Sequence, residues 1–227
     1  MDPPGSTNRR RGGDSAATLL LAGATGLVGG HVLELALADP RVESIVAPSR
    51  RDLRPHPKLR APRVDFAQLP EEAAWWRADA VICALGTTMK NAGSRGAFHR
   101  VDHDYPLAVA RLARAHGTPA FVLNSAAGAD AASRIFYTRV KGEVEDAIAG
   151  LGFESLTLVR PGAIGGAREE PRPGERIMVS VLGAVEPLLP RRWRVNPAGK
   201  IARAMLDAAL DARPGTRVID SAALAPA

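Results

Sequence analysis

A phenol and an ammonium group four residues apart, at Tyr137 and Lys141, have the chemistry for proton transfer. On a helix this spacing puts both side chains on one face, where the cation can act on the phenol. Lowering the pKa of tyrosine from ~10 by ~2 to 3 units requires ~3 to 4 kcal/mol of preferential phenolate stabilisation. We expect Lys141 to supply it in a desolvated pocket. The alternative is that Tyr137 is half-buried packing and that Lys141 pairs with Glu145.

A glycine-rich turn near the start of the chain has the spacing of a dinucleotide cradle. It reads Gly-x-x-Gly-x-x-Gly, follows an apolar run and opens a helical segment. Gly23 permits an abrupt turn, Gly26 lets the backbone approach a pyrophosphate, and Gly29 allows close packing of helix on strand. The N–H groups at the helix start would face the phosphates. The residues predicted to bind the cofactor here are Gly23, Thr25, Gly26, Leu27 and Val28.

The segment about 20 positions further on discriminates between the two nicotinamide cofactors. NAD-specific folds place an acidic residue there, whereas this chain has Ser49, Arg50 and Arg51. Two guanidinium groups form charge-assisted forks with a 2′-phosphate, so NADP (NADPH) is favoured; alternatively, one arginine is merely exposed. The remaining predicted cofactor contacts are Asp65 at the adenine, Leu85, Gly86 and Thr87 at the ribose and nicotinamide, Lys141 at the nicotinamide ribose, and Pro161.

Ser125 completes a predicted catalytic set with Tyr137 and Lys141. It ends a predicted strand, from which its hydroxyl can bond a carbonyl while Tyr137 donates a proton and the cofactor donates hydride. The set predicts an NADP-dependent oxidoreductase that acts on a small carbonyl or alcohol, with Tyr137 as general acid or base. Two alternatives stay open. One is an NADPH-binding regulatory protein without turnover, and the other is a sugar epimerase, whose chemistry uses the same set with a tightly retained cofactor.

Short apolar runs alternate with amphipathic segments from residue 17 onward. Apolar strands separated by helices favour a parallel sheet covered on both faces, the doubly wound (Rossmann) α/β fold. Ligands of such sheets bind beyond the carboxyl ends of the strands, so the candidate residues should converge on one edge. The predicted strands are Thr18–Ala22, Ile45–Pro48, Arg63–Phe66, Ala80–Leu85, Ala120–Asn124, Ser155–Val159 and Val218–Ile219. The predicted helices are Leu27–Ala38, Arg100–His116, Ser133–Ala149 and Pro197–Ala212, the last with Asn196 as its N-cap.

Length and composition predict a single domain. The 227 residues, 46% of them apolar, suffice for one α/β core over residues 16–227. Residues 1–15 are polar and without apolar period, which predicts a disordered tail. The charged residues 168–176 occupy the position of a small substrate-covering element, with a solvated surface loop as the alternative.

Charge and cysteine usage bear on partners and location. The net charge of +6 comes from arginines scattered among acids, without a basic stripe, so specific nucleic-acid binding is not expected. No uninterrupted apolar run reaches about 18 residues, so neither a membrane span nor a signal peptide is predicted. The lone cysteine, Cys83, lies in an apolar run, which predicts a buried side chain and is compatible with the cytoplasm. A homodimer or a protein partner stays open.

Three histidines, His99, His103 and His116, lie in the segment after the fourth predicted strand. They are not accompanied by a cluster of cysteine or glutamate residues with the spacing of metal ligands. No metal site is therefore predicted.

Motifs spread over residues 17–212 carry a family resemblance. They are residues 23–29, 83–94, 98–102, 124–130, 137–143 and 160–169, of which Cys-x-Leu-Gly-Thr-Thr and Gly-Ala-Asp are far more specific than Tyr-x-x-x-Lys. These motifs resemble the atypical short-chain dehydrogenases of the Tat-interacting-protein-like, NAD(P)H-binding oxidoreductase group. The resemblance implies NADPH binding, with Ser125, Tyr137 and Lys141 as the triad. It also implies relatives that regulate other proteins, and it departs from the group at Asn124, where serine is common.

Overall fold

A computed structural model describes residues 16–165 and 195–226 of the chain, and this part contains nine strands. The predicted tail over residues 1–15 and the predicted covering loop over residues 168–176 lie outside it. Seven strands form the main sheet: β1 Ala17–Ala22, β2 Val42–Val46, β3 Leu59–Arg60, β4 Ala80–Cys83, β5 Ala120–Asn124, β6 Ser155–Arg160 and β9 Gly215–Asp220. The other two, β7 Ile164–Gly165 and β8 Asn196–Pro197, pair with each other.

The main sheet is parallel throughout, in the order β3-β2-β1-β4-β5-β6-β9. β1 lies inside it, with Leu20 opposite Val46 on one side and Val81 on the other. The chain winds from β1 outward to β3 and then returns past β1 to β4. This reversal opens a crevice at the carboxyl ends of β1 and β4, where sheets of this kind bind ligands. The predicted doubly wound parallel sheet is confirmed.

Helices cover both faces of the sheet. One core layer packs α1 and α6 around Val32 and Met205, and the other packs α4 and α5 around Phe121 and Val144. None of the described helices has the length and apolarity needed to cross a membrane. The helices are α1 Leu27–Ala38, α2 Met89–Ala92, α3 Arg95–His99, α4 Tyr105–Ala115, α5 Phe136–Ala149, α6 Ala198–Asp211 and α7 Ser221–Leu224, with a π-helical segment Arg100–Asp104 and a 3₁₀ turn Ala74–Trp76.

Two glycines allow β1, its turn and α1 to pack against the end of β4. Gly23 has φ +95°, and a Cβ there would lie 2.7 Å from the backbone carbonyl of Ala84. A Cβ on Gly29 would lie 2.1 Å from the carbonyl oxygen of Gly23. Only glycine fits at either position, so the role predicted for Gly29 in close helix packing agrees with its surroundings.

The helix predicted over Arg100–His116 begins earlier and is interrupted. The Ser94 Oγ accepts a hydrogen bond from the Ala97 N–H (3.1 Å) and starts α3, and the π-helical segment then joins α3 to α4. Pro106, near the start of α4, has no N–H to donate to the carbonyl of residue 102. The regular α-helical ladder therefore cannot continue across this segment.

The strand predicted over Arg63–Phe66 is wrong. β3 occupies Leu59–Arg60, and beyond it the ladder continues only as an isolated bridge between Ser49 and Arg63. Pro62 stands between these points and cannot donate a ladder hydrogen bond, so the pairing is broken there.

The N-cap predicted at Asn196 is also wrong. α6 begins at Ala198, one residue later than predicted, with Pro197 as its cap. Asn196 is fully buried, and its Oδ1 accepts hydrogen bonds from the Gly162 N–H (2.7 Å) and the Ser221 hydroxyl (2.9 Å). The amide thus ties the segment after β6 to α7, and burial outweighs its local preference for capping.

Candidate functional site

The carboxyl end of β1 provides an anion-binding turn. The Gly26 N–H donates to the Gly23 carbonyl (3.0 Å), and Gly26 then serves as the N-cap of α1. No side chain caps this end of α1, and its first turn has no acidic residue. The N–H groups of Leu27 and its neighbours are therefore available to a phosphate. Thr25 and Gly26 are exposed at the turn, while the buried Val28 side chain (5% exposed) anchors it to the core.

The arginine pair after β2 lies beside this turn. The Ser49 hydroxyl is buried and accepts a hydrogen bond from the Arg51 N–H (3.2 Å), which bends the chain after the strand. The Arg51 Nη2 then donates to the Thr25 carbonyl (3.2 Å), and Arg50 is exposed next to it. A guanidinium group therefore stands at the rim of the glycine turn, where sequence analysis expects the 2′-phosphate.

A buried ion pair connects α5 with the carboxyl end of β4. The Lys141 Nζ lies 2.8 Å from Asp102 Oδ1, and the two side chains are 7% and 1% exposed. Asp102 Oδ2 accepts a hydrogen bond from the Thr87 N–H (2.8 Å). A Cβ on Gly86 would lie 3.8 Å from the Lys141 ammonium, so three of the predicted cofactor residues, Gly86, Thr87 and Lys141, come together here.

Asp102 is a functional candidate that sequence analysis overlooked. The sequence does not single it out, because an aspartate in a predicted helix is usually solvated. Its neighbours Arg100, His103 and Asp104 are polar, so no local pattern signals its burial. Its carboxylate orients Lys141 and the backbone of residue 87, so Asp102 is a positioning residue for the site.

Tyr137 lies one turn before Lys141 on α5 and is 38% exposed, with its ring 5.6 Å from that of Phe98. Desolvation raises the pKa of its phenol, the Lys141 ammonium lowers it, and the Asp102 carboxylate raises it again. The balance is upward, so the expected lowering of this pKa is wrong for the protein without cofactor. The main physical reason is that burial disfavours the charged phenolate, and Asp102 adds to this by offsetting the charge of Lys141.

The alternative partner for Lys141, Glu145, is engaged elsewhere. Glu145 is buried and forms a two-pronged ion pair with Arg160 at the end of β6, with Arg160 Nε 3.0 Å from Glu145 Oε1. The pairing of Lys141 with Glu145 is therefore wrong. Two separate ion pairs hold α5 in place, one to the β4 side of the crevice and one to β6.

Ser125 follows the last residue of β5 and is 4% exposed. Its N–H donates to the Val159 carbonyl (2.7 Å), which fixes the backbone. Its Oγ and the neighbouring Asn124 Oδ1 are buried and have no hydrogen-bond partner among the described residues. Buried polar atoms are normally satisfied, so these two are suited to a ligand or an ordered water. Asn124, the departure from the family pattern, thus adds a second polar group beside the predicted catalytic serine.

The remaining predicted cofactor residues are spread along the same edge. Asp65 is exposed, and its Oδ1 accepts a hydrogen bond from the Ala67 N–H (2.9 Å), so its carboxylate already supports a local turn. Leu85 is partly buried against the core layer of α4 and α5. Pro161 is buried after β6, and its carbonyl accepts a hydrogen bond from the Ala127 N–H (2.7 Å).

Cys83 ends β4 and is fully buried, as predicted for a small core side chain. Desolvation raises the pKa of its thiol to about 12. The thiol is therefore protonated at neutral pH and unsuited to act as a nucleophile.

Comparisons with known proteins identify the family of this chain. A family model described as NAD(P)H-binding matches residues 23–184. Protein fmp52, mitochondrial, of Emericella nidulans is 37% identical over 212 residues, which cover 88% of this chain and 90% of that protein. Protein HTATIP2 of Rattus norvegicus is 36% identical over 198 residues, which cover 84% of this chain and 80% of that protein. The resemblance to the Tat-interacting-protein-like group is confirmed.

Solved structures share the fold at low identity. MoeE5 in complex with UDP-glucose and NAD gives a TM-score of 0.69 at 16% identity, covering 89% of this chain and 75% of its own. The PhqB reductase domain from Penicillium fellutanum gives 0.65 at 19% identity, covering 91% and 67%. At these identities the likeness extends to the fold alone.

The expected cytoplasmic location is contradicted by the fungal relatives, whose names place them in mitochondria. The expectation rested on a single buried cysteine and the absence of a disulfide framework. That feature does not distinguish one reducing compartment from another.

Proposed function

The chain belongs to the NAD(P)H-binding family, and from that premise we propose that it is an NADP-dependent carbonyl reductase in which Tyr137 donates the proton. Ser125 bonds the substrate carbonyl, and Lys141 holds the nicotinamide ribose. NADPH, when bound, supplies the hydride. The proton and the hydride together convert the carbonyl to an alcohol, and Tyr137 is reprotonated from solvent.

The observation that carries this proposal is the buried contact between Lys141 and Asp102 beside Gly86. It fixes the ammonium against the backbone that follows β4, in the crevice where a doubly wound sheet takes its ligand. Tyr137 is one helical turn away on the same face of α5. A buried lysine that served only stability would not need a position at the mouth of the crevice, because burying an ion pair gives little net stability.

The phenol is in the protonation state that carbonyl reduction needs. A pKa above the ordinary value of tyrosine keeps Tyr137 protonated at neutral pH. A protonated phenol can donate to a carbonyl oxygen, whereas alcohol oxidation needs the phenolate as base. The proposed reduction uses this protonated form.

The position of Arg51 supports a preference for NADPH over NADH. Its guanidinium stands 3.2 Å from the carbonyl of Thr25, and no acidic residue occupies Ser49–Arg51. The exposed Arg50 adds a second cation. Arginine forks match a phosphate monoester in shape and charge, and a dianionic 2′-phosphate gains more from them than a ribose hydroxyl does.

The substrate we infer is a carbonyl compound with an apolar body. Several large apolar side chains among the described residues are exposed. Four of them lie after the carboxyl ends of strands or at the start of α5, on the edge of the sheet that holds the site: Met89, Ile135, Tyr137 and Ile164. Exposed apolar side chains grouped at a crevice are typical of ligand contact surfaces.

The fungal relatives are named as mitochondrial proteins, and we propose the same location for this chain. Fractionation of the source cells tests this location.

The decisive experiment measures NADPH oxidation across a panel of apolar aldehydes and ketones. Tyr137→Phe should lower kcat by about 100-fold or more, the range that a general acid contributes, while NADPH binding is retained. Tyr105→Phe is the matched control, because Tyr105 is the other tyrosine and packs 6.0 Å from Phe66 at the start of α4. Equal rates for parent and Tyr137→Phe would rule out the proposed acid. Saturable NADPH binding without turnover in the parent would instead favour a cofactor-binding regulatory protein.

A further inference from the structure

The π-helical segment between α3 and α4 gathers three metal-binding side chains outside the nucleotide crevice. Asp104 Oδ1 lies 3.2 Å from His99 Nδ1 and 2.8 Å from His103 Nδ1. The two imidazole rings face each other with their centroids 4.4 Å apart. One candidate ligand atom from each residue lies within 4.8 Å of the others. Two imidazoles and a carboxylate are a donor set that zinc and its neighbours in the first transition row accept.

The wide turn is what assembles this set. The Tyr105 N–H donates to the Arg100 carbonyl, a hydrogen bond across five residues rather than four. His99 and His103 are four residues apart, and the widening also brings Asp104, five residues after His99, to the same side. Short π-helical stretches persist at functional sites more often than elsewhere, because they cost stability relative to a regular α-helix. In a regular α-helix the Asp104 carboxylate would point away from the two histidines, so the sequence pattern does not predict this set.

A second carboxylate lies near the other ring nitrogen of His99. Glu143, on α5, has its Oε2 3.9 Å from His99 Nε2, while His99 Nδ1 faces Asp104. Imidazole ligands of metals commonly donate their other N–H to a carboxylate, which fixes the ring and strengthens the donor nitrogen. The His103 side chain is only 18% exposed, so its ring is already held in place, and Asp104, 52% exposed, leaves a side open to solvent.

We propose that His99, His103 and Asp104 form a binding site for one divalent transition-metal ion of the zinc type. Nδ1 of each histidine and one Asp104 oxygen bind the ion, and water fills the fourth position. Each imidazole binds in its neutral form through Nδ1, with its one N–H on Nε2. Asp102, in the same π-helical segment, is buried and contacts Lys141, so this one segment contributes both to the metal site and to the proposed catalytic site. The bound ion would hold the segment that positions Lys141.

Isothermal titration calorimetry with zinc chloride tests this site directly. The full chain is used without a histidine tag, after treatment with a chelator. The parent should bind one equivalent of zinc, and Asp104→Asn and His103→Ala should abolish binding at the same concentrations. Glu143→Gln should weaken it about 10-fold, as for other outer carboxylates. His31→Ala is the matched control, since His31 also lies near a carboxylate, 3.5 Å from Glu34, but on α1.

Cobalt(II) absorption in the visible range gives a second measurement, because its spectrum reports imidazole and carboxylate coordination. Circular dichroism of each variant verifies that the fold is retained, and the exposed Asp104 is the substitution least able to disturb it. Absence of saturable zinc binding by the parent would overturn the proposal. Equal affinity of the parent and Asp104→Asn would also overturn it. Neither result depends on NADPH or on turnover, so the metal-site proposal and the reductase proposal are tested independently.

Discussion

Asp102 controls the charge that the phenol of Tyr137 meets. Sequence spacing predicts that Tyr137 and Lys141 share a helix face, and the structure puts both on α5. The spacing predicts neither the burial of the phenol, which is the largest cause of its raised pKa, nor a carboxylate from another element. Asp102 comes from the π-helical segment, is 1% exposed, and contacts the ammonium at 2.8 Å. The electrostatics of this site are therefore a property of tertiary packing.

The alkaline limit of the reaction is predicted from this arrangement. Reduction needs a protonated phenol, so its rate is retained below the pKa of Tyr137 and lost as pH rises through it. Because burial and Asp102 raise that pKa, the loss of rate in the parent should be centred above the ordinary tyrosine pKa of ~10. Asp102→Asn removes one of the raising influences and leaves Lys141 facing the phenol, so the loss should begin at lower pH. The pH profile of kcat/KM measures both limits.

A spectroscopic titration gives the same answer without a substrate. The chain has two tyrosines, and subtracting the ultraviolet titration of Tyr137→Phe from that of the parent isolates the phenolate of Tyr137. Tyr105→Phe serves as the reference for the other ring. An alkaline limit that does not move in Asp102→Asn, with the fold intact by circular dichroism, would contradict the role given to Asp102.

At the scale of elements, the packing of α5 against the loop after β5 determines the positions of Tyr137 and Lys141. A Cβ on Gly142 would lie 2.1 Å from the Ala131 nitrogen and 2.2 Å from the Asp130 carbonyl carbon. At Gly142, the residue that follows Lys141, the helix therefore packs directly against the backbone of the loop after β5. Rigid backbone cannot yield as a side chain can, so this contact fixes the height of α5 above the crevice.

Gly142→Ala should therefore both destabilise the protein and displace the site. The clash with backbone should lower the free energy of unfolding by about 3 kcal/mol, at the upper end for overpacking, and kcat should fall with it. Gly199→Ala is the matched control, because Gly199 also lies in a helix, α6, but nothing surrounds its Cβ position within 4 Å. That change should raise stability by about 0.5 to 1 kcal/mol. Urea denaturation measures the free energy of unfolding of each variant. Similar values for the two variants would contradict the close packing of α5 against the loop after β5.

The boundaries of elements show where local sequence signals are sufficient. The helix over Leu27–Ala38 and the strand over Ala120–Asn124 are confirmed with their predicted bounds, because apolar periodicity and flanking turns agree there. Asn196 has the side chain of an N-cap, but it is drawn into a buried network with Gly162 and Ser221. Its partners are distant in sequence, and no local pattern predicts them.

At the scale of the whole molecule, the sheet topology accounts for most of what the sequence predicts about the site. The carboxyl ends of β1, β4, β5 and β6 carry the glycine turn, Gly86, Ser125 and Pro161 on one edge, as a doubly wound sheet requires. What the sequence could not predict is the set of contacts made across that edge. The location was also beyond it, because compartments that share a redox state leave the same cysteine pattern.

Cofactor binding should stabilise the whole domain, and the size of the effect reports cofactor choice. At 100 times its dissociation constant a ligand adds about 2.7 kcal/mol, which is about 5 to 10 °C in Tm for a chain of this size. We expect NADPH to raise the Tm of the parent more than NADH at equal concentration. Replacing Arg50 and Arg51 together with alanine should remove most of the NADPH effect and leave the NADH effect almost unchanged, because only NADPH carries the 2′-phosphate.

The matched control for that double variant removes the same net charge but leaves Arg50 and Arg51 in place beside the glycine turn. Arg114 and Arg213 lie in segments that precede β5 and β9, at the opposite edge of the sheet, and their joint replacement with alanine removes the same two charges. If long-range attraction alone favoured NADPH, both double variants would lose the preference equally. If contact with the 2′-phosphate is responsible, only the Arg50 and Arg51 variant loses it. Equal weakening of NADPH and NADH by that variant would exclude the phosphate contact.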